Sequence, residues 1–149
     1  MKKIIYIFIF IFILIFQTSY SSASDYMMLK NSEVNVRYGP GFSYPIKFKY
    51  NKRFLPLKVI DKKENFKKVI DFKKNSGWIH TSQLKKNRSF ILLKNQILFS
   101  KPTKYSKPIA KVFSGRLLVV KKCKLKWCKV KTDKYEGWIT NNNLWGNIE

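Results

Sequence analysis

The side chains that could support covalent or metal chemistry in this chain are few. His80 is the single histidine, and Cys123 and Cys128 are the only cysteines. A cysteine-dependent hydrolase needs a thiolate in contact with an imidazole, and both cysteines lie far along the sequence from His80. A structural zinc site needs about four Cys or His ligands, more than the chain contains. None of the eight carboxylates is singled out as an acid or base, so the sequence predicts a protein that is not an enzyme and has no metal or cofactor.

The two cysteines have a spacing that suits a structural disulfide. Cys123 and Cys128 flank four residues, Lys124 to Trp127, in a segment that reads as a hairpin. Facing positions on neighbouring strands bring side chains within about 4.5–5.5 Å, close enough for a bridge. Export from the cytoplasm would favour oxidation. We therefore predict a Cys123–Cys128 disulfide, with a pair of buried free thiols as the alternative. The spacing is wider than that of a Cys-x-x-Cys redox motif.

A short motif occurs twice and reveals the organisation of the chain. Gly77-Trp78-Ile79 returns 60 residues later as Gly137-Trp138-Ile139. Repetition at such a spacing indicates a repeated structural unit. Two copies of one small unit, with no catalytic cluster in either, predict a binding protein. Other paired features recur at offsets of 60 to 63 residues: Phe66 and Trp127, Val69 and Val130, Leu84 and Leu144, and the Pro-Ile pairs at Pro45 and Pro108.

Residues 1–23 have the composition of a secretory signal peptide. Two lysines precede an apolar run from Ile4 to Phe16, and Ser21 and Ala23 suit a cleavage site. The run has thirteen residues. A helix of that length reaches about 20 Å, less than the roughly 30 Å of a bilayer core. We therefore predict an exported protein, periplasmic or secreted, that meets the membrane only through this segment before cleavage. An uncleaved anchor is the alternative.

Apolar and polar residues alternate along much of the remaining chain, as in half-buried strands. Glu33 to Arg37 alternates clearly, whereas Tyr38 to Pro45 is rich enough in glycine and proline to form a loop. No stretch has sustained helical spacing, so the sequence predicts an all-β fold with five short strands per unit. We place the units at residues 24–86 and 87–149, and we expect Trp145 to cap the second unit.

Two segments of the first unit resemble a known family. Val34-Asn-Val-Arg-Tyr-Gly-Pro-Gly-Phe-Ser-Tyr-Pro45 is similar to the opening motif of bacterial SH3-like (SH3b) domains, and Gly-Trp-Ile is similar to a later strand of that family. The second unit resembles the family through Pro102, Trp127 to Val130 and its own Gly-Trp-Ile, but it lacks both loop glycines. The resemblance implies two small SH3-like β-barrels in tandem after the signal peptide. It also implies a cell-envelope binding module for peptidoglycan or its stem peptides.

Residues on and beside the glycine-rich loop are the candidate ligand contacts. In SH3-like barrels this loop borders an aromatic groove for extended ligands, and aromatic floors suit glycans and peptides. Packing inside the barrel is the alternative role for these aromatic residues, especially the tryptophan. Without loop glycines, the second unit is expected mainly to support the first. The candidates are Arg37, Tyr38, Phe42, Tyr44 and Trp78.

The strong positive charge of the chain has two explanations. Its formal charge is +23, from 31 basic and 8 acidic residues. Such a field attracts polyanions, including anionic wall polymers. Only four of the basic residues are arginines, however, and a lysine-, isoleucine- and asparagine-rich composition is what an AT-rich genome would produce. Two other functions therefore stay open: a non-specific polyanion binder, and a periplasmic adaptor that binds an envelope protein partner. Specific recognition of nucleic acid is not predicted.

Overall fold

The computed structural model describes residues 25–146, so the predicted signal peptide lies outside the described residues. The first barrel contains β1 (Tyr26–Leu29), β2 (Val34–Arg37), β3 (Ile46–Tyr50), β4 (Pro56–Lys63), β5 (Phe66–Ile70), β6 (Ser76–His80) and β7 (Leu84–Lys86). The second contains β8 (Ser89–Leu92), β9 (Gln96–Phe99), β10 (Pro108–Val112), β11 (Leu117–Lys124), β12 (Trp127–Lys131), β13 (Glu136–Thr140) and β14 (Leu144–Trp145). Within residues 25–146 the one helical element is a 3₁₀ turn at Thr81–Gln83, and no helix there could cross a membrane.

The two units have the same strand topology. The first sheet is hydrogen-bonded in the order β3-β2-β6-β5-β4-β1-β7, and the second repeats it as β10-β9-β13-β12-β11-β8-β14. The predicted all-β fold of two tandem SH3-like barrels is therefore confirmed. The prediction of five strands per unit was wrong, because β1 and β7 add two more to the first barrel and pair with each other. Alternation could not reveal them, since β7 has three residues and β1 reads Tyr-Met-Met-Leu.

The core of each barrel is built from the inward positions of its long hairpin and the strand that follows. Leu57, Val69 and Ile79 are completely buried in the first barrel. Leu118, Val130 and Ile139 are completely buried in the second. Burying one such side chain contributes about 1.5–3 kcal/mol. The outward positions of the same strands line the surface, and in the first barrel they include Phe66 and His80, two side chains of the candidate site.

The glycine of each Gly-Trp-Ile motif is required by the close approach of two strands. A Cβ added at Gly77 would overlap the side chain of Val36 on β2. A Cβ at Gly137 would lie 2.7 Å from the carbonyl oxygen of Phe99, at the end of β9. Contacts of that length are not tolerated by real side chains, so only glycine allows β6 and β13 to pair as they do. The repeated motif therefore marks the place where β6 pairs with β2 and β13 pairs with β9.

A continuous apolar joint connects the two barrels. Ile91 on β8 belongs to the buried cluster of the first barrel, and Leu117 and Trp145 pack against the same cluster. The Ser89 hydroxyl donates a hydrogen bond of 2.6 Å to the carbonyl oxygen of Phe54 in the first barrel. Trp145 makes an edge-on contact with Tyr26, with 5.5 Å between the ring centroids. The expectation that Trp145 caps the second unit was wrong, because its ring lies against the first barrel.

Candidate functional site

The clearest candidate site in the first barrel is a groove beside the β2–β3 loop. It has a volume of about 280 Å³. One wall comes from β2 and the loop, and the other comes from the start of β5, the end of β6 and the 3₁₀ turn. We call it the Phe42 groove. Its lining residues are Glu33, Val34, Asn35, Arg37, Phe42, Phe66, His80, Ser82 and Gln83.

Three rings form the apolar part of the Phe42 groove. Phe66 and His80 face each other across β5 and β6, with 5.1 Å between their centroids. The Phe42 ring lies 5.2 Å from each of them. Phe42 is 68% exposed and Phe66 only 6%. The loop ring is therefore offered to solvent on a support of two rings that belong to the sheet.

Arg37 fixes the loop that carries Phe42. Its Nη1 donates hydrogen bonds to the carbonyl oxygens of Phe42, at 3.1 Å, and Tyr44, at 2.7 Å. The guanidinium carbon also lies 5.5 Å from the centre of the Phe42 ring. Hydrogen bonds from a charged donor are stronger than neutral ones. The arginine therefore holds both the loop backbone and its exposed ring.

His80 is held in one tautomer by the 3₁₀ turn that follows β6. Its Nδ1 accepts a hydrogen bond from the Ser82 amide at 3.3 Å and lies 2.8 Å from the Ser82 hydroxyl. Because Nδ1 accepts, the ring proton of the neutral imidazole is on Nε2. The Ser82–His80 contact is thus a local cap of the turn. It leaves the Nε2–H as a hydrogen-bond donor beside the aromatic rings.

The remaining lining residues give the groove a mixed charge. Glu33 forms an ion pair with Lys49, with 2.6 Å between the carboxylate oxygen and Nζ. The hydrogen bond and the charge of Lys49 lower the pKa of Glu33 below its ordinary value. Arg37 and Glu33 therefore give the groove opposite charges. Within residues 25–146, no three His, Cys, Asp or Glu side chains are placed to hold a metal ion.

Of the five predicted contacts, the structure brings Arg37 and Phe42 together in the groove. Tyr38 is exposed outside it, with Lys47 Nζ 5.6 Å from its ring centre. Tyr44 is also exposed, and its ring occupies the space beside Gly39. Trp78 is only 9% exposed in the barrel wall, which is the packing position that the sequence left open. Ligand contact by these residues stays a prediction.

Sequence reasoning missed Phe66 and His80 as members of the groove. His80 was considered only as a catalytic or metal-binding residue. The signal that could have found the pair is the hairpin itself, because the first residue of β5 faces the last residue of β6. The same register recurs in the second barrel, where Trp127 faces Thr140.

The second barrel has a groove at the equivalent place, with a volume of about 530 Å³. We call it the Tyr105 groove, after a ring that is fully exposed. The buried Trp127 occupies the position of Phe66, and Thr140 that of His80. The loss of the loop glycines has therefore not removed the groove. Its lining residues are Pro102, Thr103, Lys104, Tyr105, Lys126, Trp127, Thr140, Asn141 and Asn142.

The predicted disulfide is present at the tip of the second barrel's long hairpin. Cys123 and Cys128 are register partners on β11 and β12 and are bonded to each other. The positions that correspond to them in the first barrel are Lys62 and Lys67, which are also register partners. Both lysines lie near the Asp25 carboxylate, with Nζ to oxygen distances of 3.0 and 3.9 Å.

The carboxylates near turns have structural partners. Asp71 is buried and accepts hydrogen bonds from the amides of Lys73 and Asn75, each at 2.9 Å, and from the Tyr50 hydroxyl at 3.2 Å. Burial, and then the charge of Asp71, raise the pKa of Tyr50 far above its ordinary value. Asp133 pairs with Arg116 and Glu136 with Lys129. The hydrogen bond and charge of Lys129 lower the pKa of Glu136.

Comparison with known sequences gives a family assignment. The sequence pattern of the bacterial SH3 domain matches twice, over residues 30–86 and 94–146. The two matches span most of the chain and correspond to the two barrels. The chain therefore belongs to the bacterial SH3 domain family. Among curated proteins, none matches the sequence.

Comparison with solved structures finds proteins of low similarity. NlpC1 from Trichomonas vaginalis is 12% identical and covers 87% of this chain and 48% of its own, with a TM-score of 0.39. NlpC2 from the same organism is 13% identical and covers 87% and 50%, with a TM-score of 0.39. An NlpC/P60 family protein from Bacillus cereus is 15% identical and covers 80% and 55%, with a TM-score of 0.38. This chain thus spans about half the length of those proteins, and scores this low carry no inference about its activity.

Proposed function

We propose that this pair of bacterial SH3 domains is a non-catalytic binding module of the cell envelope, and that it recognises peptidoglycan or its stem peptides through the Phe42 groove. The observation that carries the proposal is the exposed Phe42 ring, held by Arg37 and supported by Phe66 and His80. An exposed ring that is fixed before the ligand arrives loses little conformational entropy on binding. Its position and exposure are those of a binding surface more than of a core side chain.

The groove chemistry suits a short peptide or a glycan. A flat ring offers apolar area to a sugar face or an aliphatic side chain, and nearby polar groups give orientation. The Arg37 guanidinium has further N–H donors besides those of Nη1, which hold the loop, so it can also bind a carboxylate. The His80 Nε2–H is a further donor. Bound in this way, the ligand would need no covalent step.

The disulfide supports the proposal that the protein works outside the cytoplasm. Disulfides persist in the periplasm and in secreted proteins, and are rare where thiols are kept reduced. Together with the basic and apolar start of the sequence, the Cys123–Cys128 bond favours a periplasmic or secreted protein. Amino-terminal sequencing of the protein recovered from cells tests cleavage after Ala23.

The binding test is co-sedimentation with purified wall sacculi across a salt series. We expect the wild-type protein to pellet at low and at physiological salt, and Phe42→Ala to lose about tenfold in affinity. Phe113→Ala is the matched control, because Phe113 is similarly exposed at 62% but lies on the other barrel. Absence of pelleting at low salt would contradict the proposal, as would equal losses in the two variants.

The same experiment separates the two alternative functions. A non-specific polyanion binder would lose affinity log-linearly with salt and would hold nucleic acid as well as wall polymer. Substitution of Phe42, Tyr38 or Tyr44 would then have little effect, because none of these side chains carries charge. An adaptor would ignore sacculi and would capture one saturable protein partner from an envelope extract.

A further inference from the structure

A third concave surface lies at the joint between the barrels. Its volume is about 610 Å³. One side is the β3–β4 loop of the first barrel, and the other is the outer face of β11 and the end of β12 in the second. We call it the inter-barrel cleft. Its lining residues are Asn51, Lys52, Arg53, Phe54, Arg116, Leu117, Val119, Lys121, Lys131, Thr132 and Asp133.

The cleft concentrates positive charge beyond what the composition of the chain explains. Five of its eleven lining residues are cations and one is a carboxylate. Two of the four arginines of the whole chain, Arg53 and Arg116, are among them. The Phe42 groove is lined by one arginine and one glutamate, and the Tyr105 groove by two lysines. A uniform excess of lysine along the chain would not place two of the four arginines in one cleft.

The wall from the first barrel is held in place before any ligand binds. Arg53 donates from Nε to the carbonyl oxygen of Lys30 at 3.0 Å, and its guanidinium lies 4.7 Å from the Phe54 ring centre. Phe54 has a left-handed backbone, with φ of 65°. That conformation is costly for an aromatic residue. It is secured by hydrogen bonds from the Phe54 amide to Leu29 at 3.0 Å and from Ser89 to the Phe54 carbonyl.

The wall from the second barrel carries cations that a ligand can reach. Arg116 pairs with Asp133 at 3.4 Å, and both side chains are largely exposed. An exposed pair of this kind contributes little to stability, so an incoming anion can replace the carboxylate. Lys121 and Lys131 are exposed on the same wall.

We propose that the inter-barrel cleft binds a ligand that presents several adjacent phosphate groups. A planar guanidinium matches the geometry of phosphate oxygens, and lysines add charge without a fixed direction. Five cations in one cleft fit a ligand with several charges over a short length better than a single anion. The site is separate from the Phe42 groove and does not depend on it.

The first test uses sodium tripolyphosphate and calorimetric titration with the protein from residue 24 onwards. Lys52→Gln/Lys121→Gln/Lys131→Gln removes three cations of the cleft, and Lys63→Gln/Lys94→Gln/Lys124→Gln removes three exposed lysines outside it. We expect one saturable site in the wild type, at least tenfold weaker binding in the cleft variant, and no more than a twofold change in the control. Absence of binding to the wild type, or equal losses in the two variants, would overturn the proposal.

The second test predicts a gain, which a misfolded variant cannot produce. Asp133→Asn releases Arg116 and removes the one carboxylate among the lining residues of the cleft, so we expect tripolyphosphate to bind about threefold more tightly. Asp61→Asn removes an exposed carboxylate elsewhere and should change the affinity much less. An equal gain in both variants would point to the general field of the protein and would count against the cleft.

Two further measurements settle the ligand class and its independence from the proposed function. Poly-glutamate of matched charge should bind at least fivefold more weakly than tripolyphosphate, and equal affinity would overturn the assignment to phosphate. Phe42→Ala should bind tripolyphosphate as the wild type does, whether or not it binds sacculi. Loss of phosphate binding in Phe42→Ala would show that the cleft is not a separate site.

Discussion

The β2–β3 loop of the first barrel and the β9–β10 loop of the second share a pattern of backbone hydrogen bonds, but different side chains stabilise them. Tyr38 donates from its amide to the Pro45 carbonyl at 3.2 Å, and Ser100 does the same to Lys107 at 3.0 Å. Two shorter turns inside each loop also match. The path of the chain is therefore repeated, and the residues that stabilise it are not.

The second loop can do without the glycines of the first because the large and small side chains have changed places. In the first loop a Cβ at Gly39 would overlap the ring of Tyr44. In the second loop Lys101 takes the place of Gly39, and the small Ser106 takes the place of Tyr44. Neither loop glycine of the first barrel has a positive φ, so their replacement causes no backbone strain. A missing glycine motif therefore does not indicate a missing loop.

The turns that precede β6 and β13 are also stabilised by different side chains in the two barrels. Asp71, which is 3% exposed, accepts from backbone amides and from Tyr50 in the first barrel. Thr132 holds the turn of the second barrel, where its hydroxyl oxygen accepts from the Tyr135 amide at 3.0 Å. A buried carboxylate that is fully hydrogen-bonded is costly to lose, because its donors are then left without a partner.

Substitution of Asp71 and Thr132 should therefore give the largest difference between the barrels in the free energy of unfolding that is lost. We expect Asp71→Ala to lower the free energy of unfolding by about 3 kcal/mol, and Thr132→Ala by about 1 kcal/mol. Urea unfolding followed by circular dichroism measures both. Asp61→Ala, at an exposed position on β4, is the control and should change stability by less than about 0.5 kcal/mol. Equal losses at positions 71 and 132 would contradict the comparison.

The second comparison concerns the tips of the long hairpins. The second barrel has a covalent bond between Cys123 and Cys128, and the first has Lys62 and Lys67 at the equivalent register with Asp25 beside them. Like charges directly opposite each other on neighbouring strands are destabilising. Exposed ion pairs offset this only slightly.

Transfer of the disulfide to the first barrel should stabilise it. We expect Lys62→Cys/Lys67→Cys to form a bond, and the oxidised protein to be about 2 kcal/mol more stable than the reduced one, from the loop-closure entropy of a short loop. Cys123→Ser and Cys128→Ser are introduced in the same background, so that reduction reports only the new bond. Lys62→Ser/Lys67→Ser shows what the loss of the two charges contributes. Failure of the bond to form would mean that the two hairpins differ in geometry as well as in chemistry.

The features that the sequence could predict are those that depend on neighbouring positions. The all-β class follows from alternation within single strands, and the Cys123–Cys128 pair lies across one short turn. The glycine of Gly-Trp-Ile was recognisable as a repeat, but its reason was not. That reason is the approach of β6 to Val36, a residue far away in the sequence.

The candidate site was less accessible to sequence reasoning because its residues come from distant segments. Phe42, Phe66 and His80 meet only when the loop folds back over the β5–β6 pair. The strand register does pair Trp78 with Arg37 at the start of the loop, but the Trp78 side chain is buried in the barrel wall. The Tyr105 groove was missed because the expected glycines were absent, and the inter-barrel cleft depends on how two barrels pack.

The smallest predicted effect concerns the side-chain hydrogen bonds that stabilise the β2–β3 loop and the β9–β10 loop. Arg37→Met removes the hydrogen bonds to Phe42 and Tyr44, and Ser106→Ala removes the hydroxyl that donates to the Thr103 carbonyl at 2.9 Å. Each change should cost about 1 kcal/mol of local stability, because the loops are exposed. Hydrogen exchange followed by mass spectrometry should show about fivefold faster exchange in residues 39–44 for Arg37→Met and in residues 101–106 for Ser106→Ala, with the other loop unchanged in each case.

Arg37→Lys should recover part of the protection, since a lysine can still reach one carbonyl. Faster exchange in both loops from either change would show that the joint couples the grooves, and the two barrels would then have to be treated as one binding unit.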